Sequence, residues 1–106
     1  MISFEEFKKL DLRIGRIATV ENHPNADKLY VLKVDMGGEE RQLVAGLRPY
    51  YSADELQGKL ITVAVNLEPA AIRGVESQGM LLAASDGPMV SCLQPDKDVA
   101  PGSEVM

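Results

Sequence analysis

Leu60-Ile61-Thr62-Val63-Ala64-Val65 is the strongest β-type run of the chain, apolar everywhere except Thr62. A run so short and so uniformly apolar, bounded by Gly58 and Asn66, predicts a strand buried on both faces. The rest of the chain must fold around it. It has 106 residues to do so, one domain's worth, able to bury roughly 65% of its unfolded surface in a single modest core. With 45% hydrophobic and 25% charged residues, the composition is that of a folded chain and not a disordered one.

The other segments are short and change period often. Ser3 with Glu6 is a capping-box pair, and Phe4, Phe7 and Leu10 recur at helical spacing, which predicts a short helix over 4–10. From Asp11 the pattern turns β-like: Leu12, Ile14, Ile17 and Val20 predict a long bent strand with a bulge at Gly15. His23-Pro24-Asn25-Ala26-Asp27 is turn chemistry. A second strand runs to Val34, Gly37-Gly38 predicts a hairpin, and Gln42 to Ala45 is the returning strand. Ser52 with Glu55 nominates a short helix at 53–57, stopped by Gly58. After the 60–65 strand, 66–78 reads as a long loop, 79–84 as the fifth strand and 90–93 as a sixth. A tail with Pro95, Pro101 and Gly102 excludes regular helix. Five short strands with a helix between the third and fourth give an all-β chain with the element order of a five-stranded OB-fold barrel, an order other small barrels share, preceded by a short helix and followed by a C-terminal extension from about residue 90. One domain is expected over 1–106, with no repeat and no linker.

Charge and rare residues exclude several roles. One His and one Cys are too few for a structural zinc site, so neither metal nor other cofactor is expected. The lone Cys92 cannot form an internal disulfide, no apolar run nears the ~20 residues of a membrane span, and the polar, acidic N-terminus is unlike a signal peptide. A cytoplasmic location without membrane contact is expected. Met1 and the compact ending lead to the expectation of a complete chain. The net charge of −5 does not favour nucleic acid in bulk, but residues 13–33 place Arg13, Arg16, Lys28 and Lys33 against only Glu21 and Asp27. Five aromatic residues, Phe4, Phe7, Tyr30, Tyr50 and Tyr51, are too few for a broad base-stacking platform.

Three stretches carry more than pattern: FKKLDLRIGRI at 7–17, HPNADKLYVLKVDMG at 23–37 and NLEPAAIRGVESQGMLLAAS at 66–85. In this order and spacing they resemble the tRNA-binding domain found at the C-terminus of many methionyl-tRNA synthetases or as their separate β subunit. The same resemblance extends to stand-alone structure-specific tRNA-binding proteins and to endothelial monocyte-activating polypeptide. It covers the chain from Phe4 to the PGSEV ending. It implies an OB-fold barrel whose C-terminal extension pairs two copies, and an affinity for the shape of tRNA that keeps substrate near a partner synthetase.

Candidate binding residues follow from chemistry and resemblance together. Arg13 and Arg16 offer planar forks that match phosphate, on one side of the strand if Gly15 bulges. Asp27 can orient His23, but no nucleophile stands near, so catalysis is not expected. Asn25 and Asp27 are expected to fold the turn through side-chain-to-backbone bonds and to present Lys28 beside Arg13. Lys33 belongs to the same basic stretch. In the segment between the last two barrel strands, Asn66, Ser77 and Gln78 supply neutral hydrogen-bonding groups, Arg73 charge and Met80 an adaptable apolar contact. Glu68 and Glu76 oppose phosphate unless they point away or pair with Arg73. Two other roles compete. A chaperone-like, peptide-binding relative linked to protein export shares the fold, but such relatives generally lack the HPNADKL turn. An enzyme is not expected, because the chain has no phosphate-binding glycine loop and no HIGH or KMSKS signature. The expected partners are tRNA, a second copy of the chain and a methionyl-tRNA synthetase catalytic chain.

Overall fold

The computed structural model describes residues 1–106, with the elements α1 (Phe4–Lys8), β1 (Leu12–Asn22), β2 (Tyr30–Asp35), β3 (Glu40–Ala45), α2 (Ala53–Leu56), β4 (Leu60–Ala64), β5 (Ala70–Ile72), β6 (Val75–Ser77), β7 (Met80–Leu81), β8 (Ala83–Asp86), β9 (Met89–Cys92) and β10 (Glu104–Val105). Five strands of a six-stranded antiparallel sheet follow the order β3-β2-β1-β4-β7, and the sixth, β10, pairs with β1. The sheet curls until β7 returns toward β3, giving a nearly closed OB-like barrel. β4 lies between β1 and β7 with every residue buried, as its apolar run requires. Ile17, Leu32, Val34, Leu43, Leu56, Ile61 and Val63 are the most completely buried side chains of the core.

β1 is long because it serves two neighbours. Its first half, Leu12 to Arg16, pairs with β4, and from Arg16 to Asn22 it pairs with β2. The bend between these halves is a register shift between Ile17 and Thr19, so the bulge expected at Gly15 lies two to four residues later. Gly15 is needed for a different reason: a Cβ there would lie 2.5 Å from Met36 Sδ and 2.6 Å from Val34 Cγ1. Glycine lets the end of β2 cross closely over β1. With no bulge at Gly15, Arg13 and Arg16 keep strict alternation and point to opposite faces.

The seam between β3 and β7 is closed largely by side chains. The Gln78 N–H donates to Gln42 O at 2.8 Å, and the Gln42 N–H donates to Gln78 Oε1 at 2.9 Å. The Ser77 hydroxyl accepts from the Val44 N–H at 3.0 Å and donates to Gly79 O at 2.9 Å. Arg41 adds bonds to the carbonyls of Val65 and Gln78. These bonds replace a backbone ladder that the irregular chain between β4 and β7 cannot supply.

That segment is not the unbroken loop expected over 66–78. It contains a hairpin in which Ile72 pairs with Val75 across the two-residue turn Arg73-Gly74, at φ 52° and 87°. The fifth strand expected over 79–84 breaks at Leu82: β7 stays with β4, and β8 leaves to pair with β9. The tail folds back on its own barrel. β10 pairs with the start of β1, the Gly102 N–H donates to Ile14 O at 2.7 Å, and a Cβ on Gly37 would overlap the Pro101 carbonyl.

The helices are minor. α1 ends at Lys8, earlier than expected, buries no residue, and has half a capping box: Ser3 Oγ accepts from the Glu6 N–H at 3.1 Å with no return bond. α2 has the complete box, in which bonds from Ser52 hold the Glu55 carboxyl below its ordinary range. Burial pushes the Cys92 thiol up, consistent with its place in the core beneath Tyr51.

Candidate nucleic-acid interface

Two loops meet at one rim of the barrel. The turn after β1 is built around His23, which is 4% exposed. Its Nδ1 accepts the Asn25 N–H at 2.9 Å, and its Nε2 lies 2.9 Å from the Ile72 carbonyl on the β5–β6 hairpin. A carbonyl can only accept, so Nε2 carries the proton and the imidazole is the neutral Nε2–H tautomer. The turn is therefore folded by His23, not by the Asn25 and Asp27 side chains as expected from sequence. Asn25 bonds across the rim instead: its Nδ2 donates to Arg73 O at 3.3 Å, while Arg73 Nη2 donates to Asn25 O at 3.1 Å. Lys28 and Arg73 line one hollow with Asn25, Ala26, Asp27 and Leu29.

This hollow lies between the first barrel turn and the β5–β6 hairpin of the segment joining the fourth and fifth barrel strands. OB folds take oligonucleotides at these two loops and at the face of the second and third strands. Lys33 projects from β2 on that face, cross-strand from Thr19 and Gln42, with Nζ 2.7 Å from Gln42 Oε1. Neither Lys28 nor Arg73 takes part in any of the three ion pairs, which are Arg13–Asp11, Arg16–Asp98 and Arg41–Glu39. Their charges are free for a ligand. The rim is not uniformly basic, since Glu21, Asp27 and Glu76 are exposed on the same elements and Glu76 does not pair with Arg73.

The structure divides the remaining sequence candidates among other places. Lys28 does not lie beside Arg13; nearly the full 11 residues of β1 separate their neighbourhoods. Arg13 is held by Asp11 at 2.9 Å and by Gly102 O at 3.3 Å. Arg16 donates to Gly58 O at 2.8 Å and lies 3.7 Å from Asp98, so both arginines meet the C-terminal tail. Asn66 staples the start of β1 to the end of β4, accepting from the Asp11 N–H at 2.8 Å and donating to Lys9 O at 2.6 Å. Ser77 and Gln78 sit in the barrel seam. Met80, 51% exposed, borders an apolar groove with Val44, Leu47, Leu81 and Val90. Sequence reasoning missed the Asn25–Arg73 clasp; the left-handed backbone at Arg73 leaves no mark in the residue type.

Comparison with known proteins places these features in context. The family model described as "Putative tRNA binding domain" matches residues 12–104. A methionine–tRNA ligase of Pyrococcus furiosus is 62% identical over 104 residues, which covers 98% of this chain and 14% of that protein. The methionine–tRNA ligase of Thermotoga maritima is 47% identical over 104 residues, covering 98% of this chain and 16% of its own length. The chain thus spans only a small part of these curated relatives. Among solved structures, a MetRS-related protein from Pyrococcus horikoshii superposes with a TM-score of 0.93 at 34% identity, covering 100% of this chain and 98% of that one. Chaperone CsaA of Bacillus anthracis superposes with a TM-score of 0.89 at 30% identity, covering 100% and 99%.

Proposed function

The chain belongs to the tRNA-binding domain family, and from that premise we propose that it is a non-catalytic module that holds folded tRNA at the Lys28–Arg73 rim. The observation that carries the reading is the pairing of two uncompensated cations from two different loops, clasped through Asn25 beside the face on which OB folds bind oligonucleotides. Lys33 extends the contact along β2. Arg13 and Arg16 serve the tail, and Asn66, Ser77 and Gln78 set the scaffold. A few phosphate contacts on an acidic chain make binding weak. Attachment to a methionyl-tRNA synthetase, as its domain or its subunit, raises the effective concentration enough to matter. A cytoplasmic location goes with that attachment; no helix of the chain is long and apolar enough to cross a membrane. The test is fluorescence anisotropy with tRNA and with unstructured RNA of equal length. Tighter binding of tRNA supports shape recognition, and equal binding removes it.

The peptide-binding alternative rests on the likeness to CsaA, at 30% identity against 62% for the methionine–tRNA ligase. The free cations at the rim favour RNA.

A homodimer is the second component of the proposal. β10 covers the start of β1, while Leu93 and Met106 of the C-terminal extension stay exposed. Phe4, Met80, Met89 and Leu93 nevertheless remain 72%, 51%, 65% and 43% exposed, and a second copy is the commonest way to cover such side chains. Light scattering at micromolar concentration is expected to give twice the 11.5 kDa chain mass; a single 11.5 kDa species would remove the dimer.

A further inference from the structure

The function just proposed uses cations, but their placement depends on a side chain that carries no charge and is almost wholly buried. His23 is the only buried group that joins the two loops of the rim: one ring nitrogen closes its own turn through the Asn25 N–H, and the other holds the hairpin through Ile72 O. Directly beyond it lies Arg73, in the left-handed region at φ 52°, a conformation that L-residues other than Asn and Asp rarely adopt. Carbonyls on the two residues 72 and 73 are both gripped from the turn, by His23 and by Asn25. These grips over-determine the hairpin tip.

We propose that His23 is a positioning residue for tRNA binding, a neutral imidazole bolt that holds the β5–β6 hairpin on the first turn and so keeps Arg73 beside Lys28. The proposal rests on the reading of the rim as the tRNA site. Its chemistry has a definite sign. A proton on Nδ1 turns the acceptor of the Asn25 N–H into a second donor, and that bond is lost. The charged side chains on the packed elements are Asp27 and Lys28 of the turn, Arg73 and Glu76 of the hairpin, and Glu21 at the end of β1. None of them bonds to the ring. Acidification therefore loosens the rim even as it adds positive charge. A merely electrostatic His would do the opposite, since an extra cation strengthens phosphate binding.

The experiment follows tRNA anisotropy at fixed ionic strength from about pH 8 to about pH 5.5. Wild type is compared with His23→Gln, whose amide nitrogen can still donate to Ile72 O but does not titrate. Amide hydrogen exchange across residues 70–77 is recorded without RNA at both ends of the range. Wild-type affinity is expected to fall by about tenfold on acidification, with loss of protection in the hairpin, while His23→Gln stays flat in both. Wild-type affinity that rises or stays constant in acid overturns the proposal, as does a His23→Gln profile that matches wild type. If wild type fails to bind tRNA even at about pH 8, the function reading falls, and exchange alone then decides the bolt. Acid-labile hairpin protection in wild type keeps it, and protection independent of pH removes it.

Discussion

Arg73→Asn is expected to make the protein more stable and a poorer RNA binder. Arginine at φ 52° accepts a backbone cost of about 1–2 kcal/mol that asparagine, tolerant of the left-handed region, largely avoids. The change also loses the exposed bond from Arg73 Nη2 to Asn25 O, worth about 0.5–1 kcal/mol. The net gain of about 0.5 kcal/mol corresponds to a melting temperature higher by about 2–4 °C. Loss of the guanidinium removes one phosphate contact, so tRNA affinity falls by about tenfold and the salt dependence becomes shallower by about one unit. Calorimetry and anisotropy on the same preparation check both halves. A lower melting temperature with unchanged affinity would make Arg73 a turn residue only. Opposed changes are the mark of strain kept for function.

Ser77→Ala is expected to have the opposite profile. Its hydroxyl is 4% exposed and satisfies two backbone groups across the barrel seam, the Val44 N–H at 3.0 Å and the Gly79 carbonyl at 2.9 Å. Alanine leaves both without a partner at about 1–3 kcal/mol each, so a loss of about 3 kcal/mol and a melting temperature lower by more than about 10 °C follow. Affinity of the folded fraction for tRNA, and its salt slope, should be unchanged at low temperature. A variant of normal stability that no longer binds tRNA would instead place Ser77 in contact with RNA.

The contrast between these two residues shows what the sequence could and could not carry. Local signals were legible. The apolar run at 60–65 became the fully buried strand β4, Gly37-Gly38 made the β2–β3 hairpin, and Ser52 with Glu55 capped α2. The order of such elements is shared by other small barrels, and the OB-fold reading came from the resemblance carried by the three motifs. Polar residues near the seam were different, because their partners lie far away in sequence. Ser77 meets Val44 33 residues back, and Asn66 meets Asp11 55 residues back. A hydroxyl waiting for RNA and a hydroxyl waiting for a distant N–H look the same in one chain. The hairpin at 70–77 was hidden because its turn is Arg-Gly, not the Asn-Gly that the left-handed geometry favours. Arg13 and Arg16, read from the sequence as phosphate ligands, meet Gly102 O and Asp98 in the tail, partners that no spacing in the chain announces. Lys28 and Arg73 belong to different motifs, and only the fold brings them to one hollow.

The dependence of tRNA affinity on salt in single-charge variants decides whether tRNA phosphate is held at the rim between the first turn and the hairpin. Wild type should show a shallow slope, about 0.7–0.9 per phosphate neutralised. Lys28→Ala and Arg73→Ala should each lower that slope by about one, while Arg13→Ala should leave it unchanged. A slope that falls in Arg13→Ala and stays constant in the two rim variants would contradict the account, and would place the RNA at the end of the barrel where the tail lies.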